Sequence, residues 1–223
     1  MNGHSSRKAA ARKPAAPPKQ KRRESSAPVE DRTGKRARIL DAAVKVFAQE
    51  GFYNAKVSQI AHEAGVADGT IYLYFKSKDD LLISLFEDRM EMVNSTLREA
   101  LSSSESAVDR LKRVVKLHLD LVSENRNMAE VISVELRQST KFIKEYANPK
   151  FGEFLRLIAR AVHEGQERGE LRKDVDPQLF SRALFGALDE IALAWLVKGR
   201  DRIDLPRAAT ELGNLFIDGL RAR

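Results

Sequence analysis

Beyond residue 33, apolar residues recur at intervals of three and four, and no alternating run of useful length interrupts them, so the pattern predicts an all-α chain. In "KRARILDAAVKVFAQEG", Ile39, Leu40, Ala43, Val44 and Phe47 form one helical stripe, and Gly51 is a natural stop. Val57, Ile60, Ala61 and Ala64 then share the face of a second, short helix that Gly65 ends. After the break "GVAD", a third helical piece is expected from Asp68 to Phe75, with Ile71 and Phe75 inward and Gly69, Thr70, Tyr72 and Tyr74 on the other sides. Ser77 followed by Asp80 reads as a capping box, opening a long helix through Leu81, Leu82, Leu85, Phe86, Val93 and Leu97. Further helices are expected near 106–122, 126–138, 148–168, 177–197 and 205–221.

Two short helices joined by a tight, Gly-containing turn are a helix-turn-helix, whose second helix enters the DNA major groove. Such a helix needs a small residue for close backbone approach, a hydroxyl, and side chains that bond phosphate while packing on sugar. Gly69, Thr70, Tyr72 and Tyr74 meet those needs, because a tyrosine is apolar along its ring and polar at its tip. The same tyrosines would also serve as packing at an interhelix corner.

Charge changes this picture in one place. Residues 1–32 hold nine Lys/Arg against three acids, leaving 30 basic and 29 acidic residues for the rest of a chain whose net charge is +7. This stretch also carries four of the seven prolines and little that is large and apolar, so it is expected to be a disordered basic tail. It would act either in unspecific phosphate contact or as a solubilising arm. Residues 33–80 hold seven basic and six acidic residues, so DNA affinity must rest on placement, helix N-termini, a contribution from the tail, and a dimer meeting a two-fold site, not on bulk charge.

Cysteine is absent, which removes disulfides, thiolate nucleophiles and Cys-based metal sites, and fits a cytoplasmic protein. No apolar run is long enough to span a membrane, and no secretory leader is apparent. Catalysis finds no foothold. His62, His118 and His163 fall on different predicted helices without metal-ligand spacing, and Asp189 and Glu190 are adjacent and so face different sides of one. Neither a Gly-rich phosphate loop nor a nucleophile elbow is present. No cofactor or metal is expected.

The strings "ILDAAVKVFAQEGF", "VSQIAHEAGV", "GTIYLYF" and "KSKDDLL" resemble, in order, spacing and residue type over residues 39–82, the N-terminal module of the TetR family of bacterial transcriptional regulators. The resemblance implies DNA contacts from Ser58, Asp68, Gly69, Thr70, Tyr72, Tyr74 and Lys78, with Lys35 and Arg36 of the first helix added as cations. Where the family often has a capping threonine at the second helix, this chain has Lys56-Val57, and Lys56 would reach phosphate as a point charge. It also implies three parts: the tail (1–32), a DNA-binding domain (33–93) and a helical ligand-binding and dimerisation domain (94–223). The partners would be a palindromic operator in double-stranded DNA, a small-molecule effector and a second copy of the chain.

Three strings, "VADGTIYLYFKSKDDLLISLF", "VELRQS" and "FGALDEIALAWLVKG", resemble the subgroup of fatty-acid-degradation repressors that leave DNA when long-chain acyl-CoA binds. An acyl chain needs an apolar tunnel, for which Leu117, Leu121, Phe151, Phe154, Leu155, Ile158, Phe185, Leu188 and Trp195 are candidates. Its phosphates need cations: Arg137 first, then Lys141, Lys144, Arg156 and Arg160. Plain core and solvated helix faces are the competing roles for these residues. The last two helices carry broad apolar stripes that could bury against their own body; in the resembled family these helices form a four-helix dimer interface, and the resemblance implies one here through Leu184, Leu188, Ile191, Leu212 and Phe216. Two other readings of the whole remain: a TetR-type repressor answering a different ligand, and an architectural DNA binder without a switch.

Overall fold

The computed structural model describes Met1 and residues 29–103, 105–139, 149–198 and 203–222. Residues 2–28 of the expected tail lie outside these, as do Lys141 and Lys144. Helix α1 (Val29–Glu50) begins four residues before the expected boundary, so residues 29–32 belong to the first helix and not to the tail.

Helices α2 (Val57–Ala64) and α3 (Asp68–Ile71) complete the small N-terminal unit. Gly51 (φ 75°) and Gly65 (φ 64°) close α1 and α2 in the left-handed region, where a side chain would be strained. The third helix is shorter than expected. It stops at Ile71, and Tyr72–Phe75 continue as a tight turn in which the Phe75 amide still donates to the Ile71 carbonyl at 3.0 Å. Ile71 and Phe75 therefore both point inward, each 2% exposed, as helical spacing requires.

Helix α4 (Lys78–Leu101) opens on the expected cap. Ser77 Oγ accepts from the Asp80 amide at 3.1 Å, while Asp80 Oδ2 accepts from the Lys76 amide at 2.7 Å. Its buried residues Leu81, Leu82, Leu85 and Phe86 join the apolar stripe of α1, so the N-terminal unit shares one continuous core with the body. The body adds α5 (Ala107–Glu124), α6 (Arg126–Ser133), a 3₁₀ turn (Glu135–Gln138), α7 (Pro149–Glu167), α8 (Pro177–Lys198) and α9 (Leu205–Leu212). The single helix expected over 126–138 is broken at Val134, whose β-branched side chain sits at φ −115°, ψ −64°. Past α9 the backbone widens into a π-turn over Gly213–Asp218. An antiparallel bridge between Leu171 and Arg221 pins the chain end to the loop after α7. Helix α7 is central, packing on α4, α5 and α8. No helix among the described residues is long and apolar enough to cross a membrane.

Candidate functional site

The N-terminal unit exposes Lys56, Ser58, Asp68, Gly69 and Tyr72, as expected of a DNA-reading surface, while Thr70 is half-buried. Gly69 has no atom within 4 Å of where a Cβ would stand, which leaves the backbone open to close approach. Lys56 caps α2 with no side-chain bond; Gln59 Oε1 accepts from the Lys56 amide at 2.8 Å, leaving the ammonium to face solvent.

Three of the expected contacts are otherwise engaged. Tyr74 is half-buried and packs on the core, so it is not free on the outer face. Lys78 Nζ donates to the carbonyls of Tyr53 and Ala55, each at 3.0 Å, and stands 4.8 Å from the Phe52 ring centre. Its charge therefore fixes the α1–α2 loop onto α4. Arg36 lies over the Phe75 ring at 5.6 Å with Asp88 3.5 Å away, tying α1 to α4, and Lys35 is half-buried. A residue missed in the sequence is Leu73, 82% exposed between the two tyrosines.

The string "VELRQS" forms the joint between this reader and the body. Glu135, buried, accepts from the Phe52 amide through Oε2 at 2.5 Å, directly after the turn that ends α1. Ser139 Oγ donates to Asp79 Oδ1 at 2.8 Å in the first turn of α4. Between these two grips, Arg137 donates to the Ser133 carbonyl at 2.7 Å and pairs with Asp189 of α8. Arg137 thus reaches the body, where its charge is matched by a carboxylate.

Inside the body, α5, α7 and α8 bring aromatic rings together. Phe151 and Phe185 stand 4.6 Å apart edge-on, Phe154 lies 6.0 Å from Phe185, and His118 lies 6.2 Å and 6.4 Å from Phe185 and Phe154. Burial among these rings lowers the His118 pKa to about 4, against a smaller upward pull from the Asp189 carboxylate. The ring keeps some contact with solvent even so. Leu155, Ile158 and Leu188 are buried behind the rings, while Leu121 is half-buried on α5. Trp195, expected in the same lining, is buried in the same core and also lies under the Arg126 guanidinium at 5.0 Å.

The expected dimer contacts divide. Leu184 and Leu188 are fully buried within the chain's own core, so neither offers surface to a second copy. Helix α8 is apolar around most of its circumference, and periodicity could not choose the outer face. Ile191, Leu212 and Phe216 are partly exposed, and Leu179, Ala183, Gly186, Val197 and Leu215 lie outermost.

A second feature of the body is an open groove of about 1300 Å³ between the end of α4, the start of α5, and α7 and α8. Arg98, Arg110, Arg156, Arg160, Arg168 and His163 line it, with Glu153 and Glu164 the carboxylates among them. Among the described residues no group of His, Asp or Glu could hold a metal ion.

Residues 39–85 match the family described as "Bacterial regulatory proteins, tetR family", and residues 86–219 match "YsiA-like protein, C-terminal region". The fatty acid metabolism regulator protein of Bacillus subtilis is 35% identical over 182 residues, covering 82% of this chain and 93% of that protein. FadR from Bacillus subtilis in complex with stearoyl-CoA superposes with a TM-score of 0.77 at 34% identity, over 83% of this chain and 99% of that one. FadR of Bacillus halodurans, a fatty acid degradation regulator, gives 0.76 at 36%, over 83% and 99%. With a helix-turn-helix at one end and a matching helical body at the other, the chain belongs to the TetR family of bacterial regulators and is a DNA-binding transcriptional regulator.

Proposed function

We propose that this regulator is a homodimeric repressor of fatty-acid degradation genes that leaves a palindromic operator when a long-chain acyl-CoA enters its body. The observation that carries the reading is the likeness, through reader and body alike, to a regulator crystallised with stearoyl-CoA. The geometry supports it in two ways. The ring cluster of Phe151, Phe154 and Phe185 supplies apolar surface between α5, α7 and α8, where an acyl chain can displace ring-to-ring contacts. The grips of Glu135 and Ser139 give the body a direct hold on the reader, so a shift at α6 or α8 is felt at the α1–α2 loop. Dimerisation through the outer faces of α8 and α9 would set two readers at a fixed spacing, as a two-fold operator needs and as the near-neutral reader requires.

The test is binding to DNA from the protein's own upstream region, at fixed salt, with palmitoyl-CoA, palmitate or neither. Release by palmitoyl-CoA alone is expected. Tight binding indifferent to the thioester overturns the effector while leaving the reader intact. In the same assay Tyr72→Ala should weaken operator binding by about tenfold through loss of a groove or phosphate contact. Because Tyr72 is 58% exposed, dimerisation and the melting temperature should stay at wild-type values. Wild-type operator affinity in that variant removes Tyr72 from the reading surface.

A further inference from the structure

We infer that Leu73 determines part of the reader's sequence specificity, by packing on the 5-methyl group of a thymine in the major groove of the operator. The inference rests on the DNA-binding conclusion above and is independent of which effector the body takes.

The place of Leu73 follows from the pitch of the chain around it. Its amide donates to the Thr70 carbonyl at 3.1 Å, and the amides of Tyr74 and Phe75 each donate to the Ile71 carbonyl at 3.0 Å. Near-helical spacing therefore persists past the end of α3. Ile71 and Phe75, two residues to either side of Leu73, are each 2% exposed. Two steps of about 100° carry Leu73 to the opposite side, which accounts for its 82% exposure. The same pitch sets it beside Thr70 and Gly69, three and four positions earlier. Gly69 is exposed and offers bare backbone, with nothing within 4 Å of where a Cβ would stand. The outermost strip of the reading segment is thus open backbone followed by one isobutyl group, with the hydroxyl-bearing Thr70 and Tyr72 alongside.

Chemistry selects what that strip can meet. The large apolar or aromatic side chains exposed in the reader are Tyr53, Tyr72 and Leu73, and Leu73 alone among them has no polar atom. It cannot bond a phosphate, nor any donor or acceptor on a base edge. The major groove holds one apolar feature, the thymine methyl, and a leucine brought against it buries surface on both partners. Against guanine or cytosine the same leucine would strip water from carbonyl and amino groups and return no hydrogen bond. Leu73 therefore favours thymine and penalises its competitors at one position, which is how specificity is built. The glycine lets the backbone come close enough for that contact. The buried side chains of Ile71 and Phe75 hold the leucine's backbone from behind, so little ordering remains to be done on binding.

The experiment begins with duplexes selected from a random-sequence pool by the full chain, so that neither the regulated genes nor the effector need be known. Each thymine of the selected half-site is then replaced by deoxyuridine, which removes the methyl and keeps the base pair. Dissociation constants are measured for wild type, Leu73→Ala and Leu73→Met. One position is expected at which wild type loses about three- to fivefold on loss of the methyl. Leu73→Ala should bind the selected duplex more weakly and lose nothing further with deoxyuridine at that position, while Leu73→Met, which keeps the apolar reach, should recover the sensitivity. Any change in duplex shape caused by the missing methyl cancels in this comparison. Because the leucine is so exposed, both variants should melt at the wild-type temperature. Wild-type indifference to deoxyuridine at every position overturns the inference, and so does an equal loss in wild type and Leu73→Ala, which would give the methyl to another side chain. A changed oligomeric state of Leu73→Ala in place of that coupling would assign the leucine to a protein contact and overturn it too. Indifference of the complex to palmitoyl-CoA would sink the effector reading and leave this result standing.

Discussion

Acidification from pH 6.5 to pH 4 is expected to destabilise the protein through one imidazole, that of His118. The unfolded chain protonates this histidine near 6.5, whereas the folded chain, with the ring among Phe154 and Phe185, does so only near 4. Between those values the unfolded state binds the extra proton, so stability rises with pH across the window. The contribution is full above 6.5 and is lost as pH falls toward 4. The shift corresponds to an upper limit of about 3 kcal/mol, nearer about 2 once the residual solvent contact of the ring is allowed for. Asp189 opposes the effect, since its carboxylate favours the imidazolium, and its own pairing with Arg137 limits that opposition. Urea denaturation at several pH values, for wild type and His118→Phe, isolates the effect by difference. The phenylalanine variant should lose the extra slope between 4 and 6.5, whatever its absolute stability. Parallel pH profiles would show that the ring is already protonated in the fold.

Glu135→Ala should both loosen the molecule and uncouple its halves. The substitution removes the carboxylate that accepts from the Phe52 amide and leaves a buried N–H without that acceptor, at a cost of about 1–3 kcal/mol. Amide exchange at Phe52 should accelerate markedly, while helices far from the joint keep their protection. The operator affinity should also become less sensitive to effector. The ratio of dissociation constants with and without palmitoyl-CoA should shrink several-fold toward one, because a site can influence another only through contacts that differ between states. Glu135→Gln keeps an oxygen acceptor and should recover most of the stability. A folded Glu135→Ala protein with the wild-type ratio would show that the coupling runs elsewhere.

The helical organisation was legible because a buried stripe repeats every three or four residues regardless of what it packs against. Ile39, Phe47, Ile60, Leu81 and Leu85 were all placed inward by that repeat, and all are buried. It misjudged the third helix for the same reason: Ile71 and Phe75 are four apart in a helix and in a helix followed by a tight turn, so spacing cannot see where α3 ends. Leu73 was missed because hydrophobicity alone reads a leucine as core. The joint was beyond the sequence. Phe52 and Glu135 are 83 residues apart, and one partner is a backbone amide, which any residue type supplies. The groove draws its arginines from α4, α5 and α7, and only the fold brings them onto one wall. The Asp189 partner of Arg137, 52 residues away, was invisible in the sequence for the same reason.

The two grips of the 3₁₀ segment differ in what they ask of the reader, and this bears on how such regulators are recombined. Glu135 holds a peptide N–H, so a helix-turn-helix transplanted from another protein would meet it with whatever residue stands at position 52, proline excepted. Ser139 holds the Asp79 carboxylate, so the graft must bring an acceptor to that one position. Of these two hydrogen bonds, a chimaera built on this body therefore inherits one with the backbone, and the other has to be written into the donor sequence at a single residue.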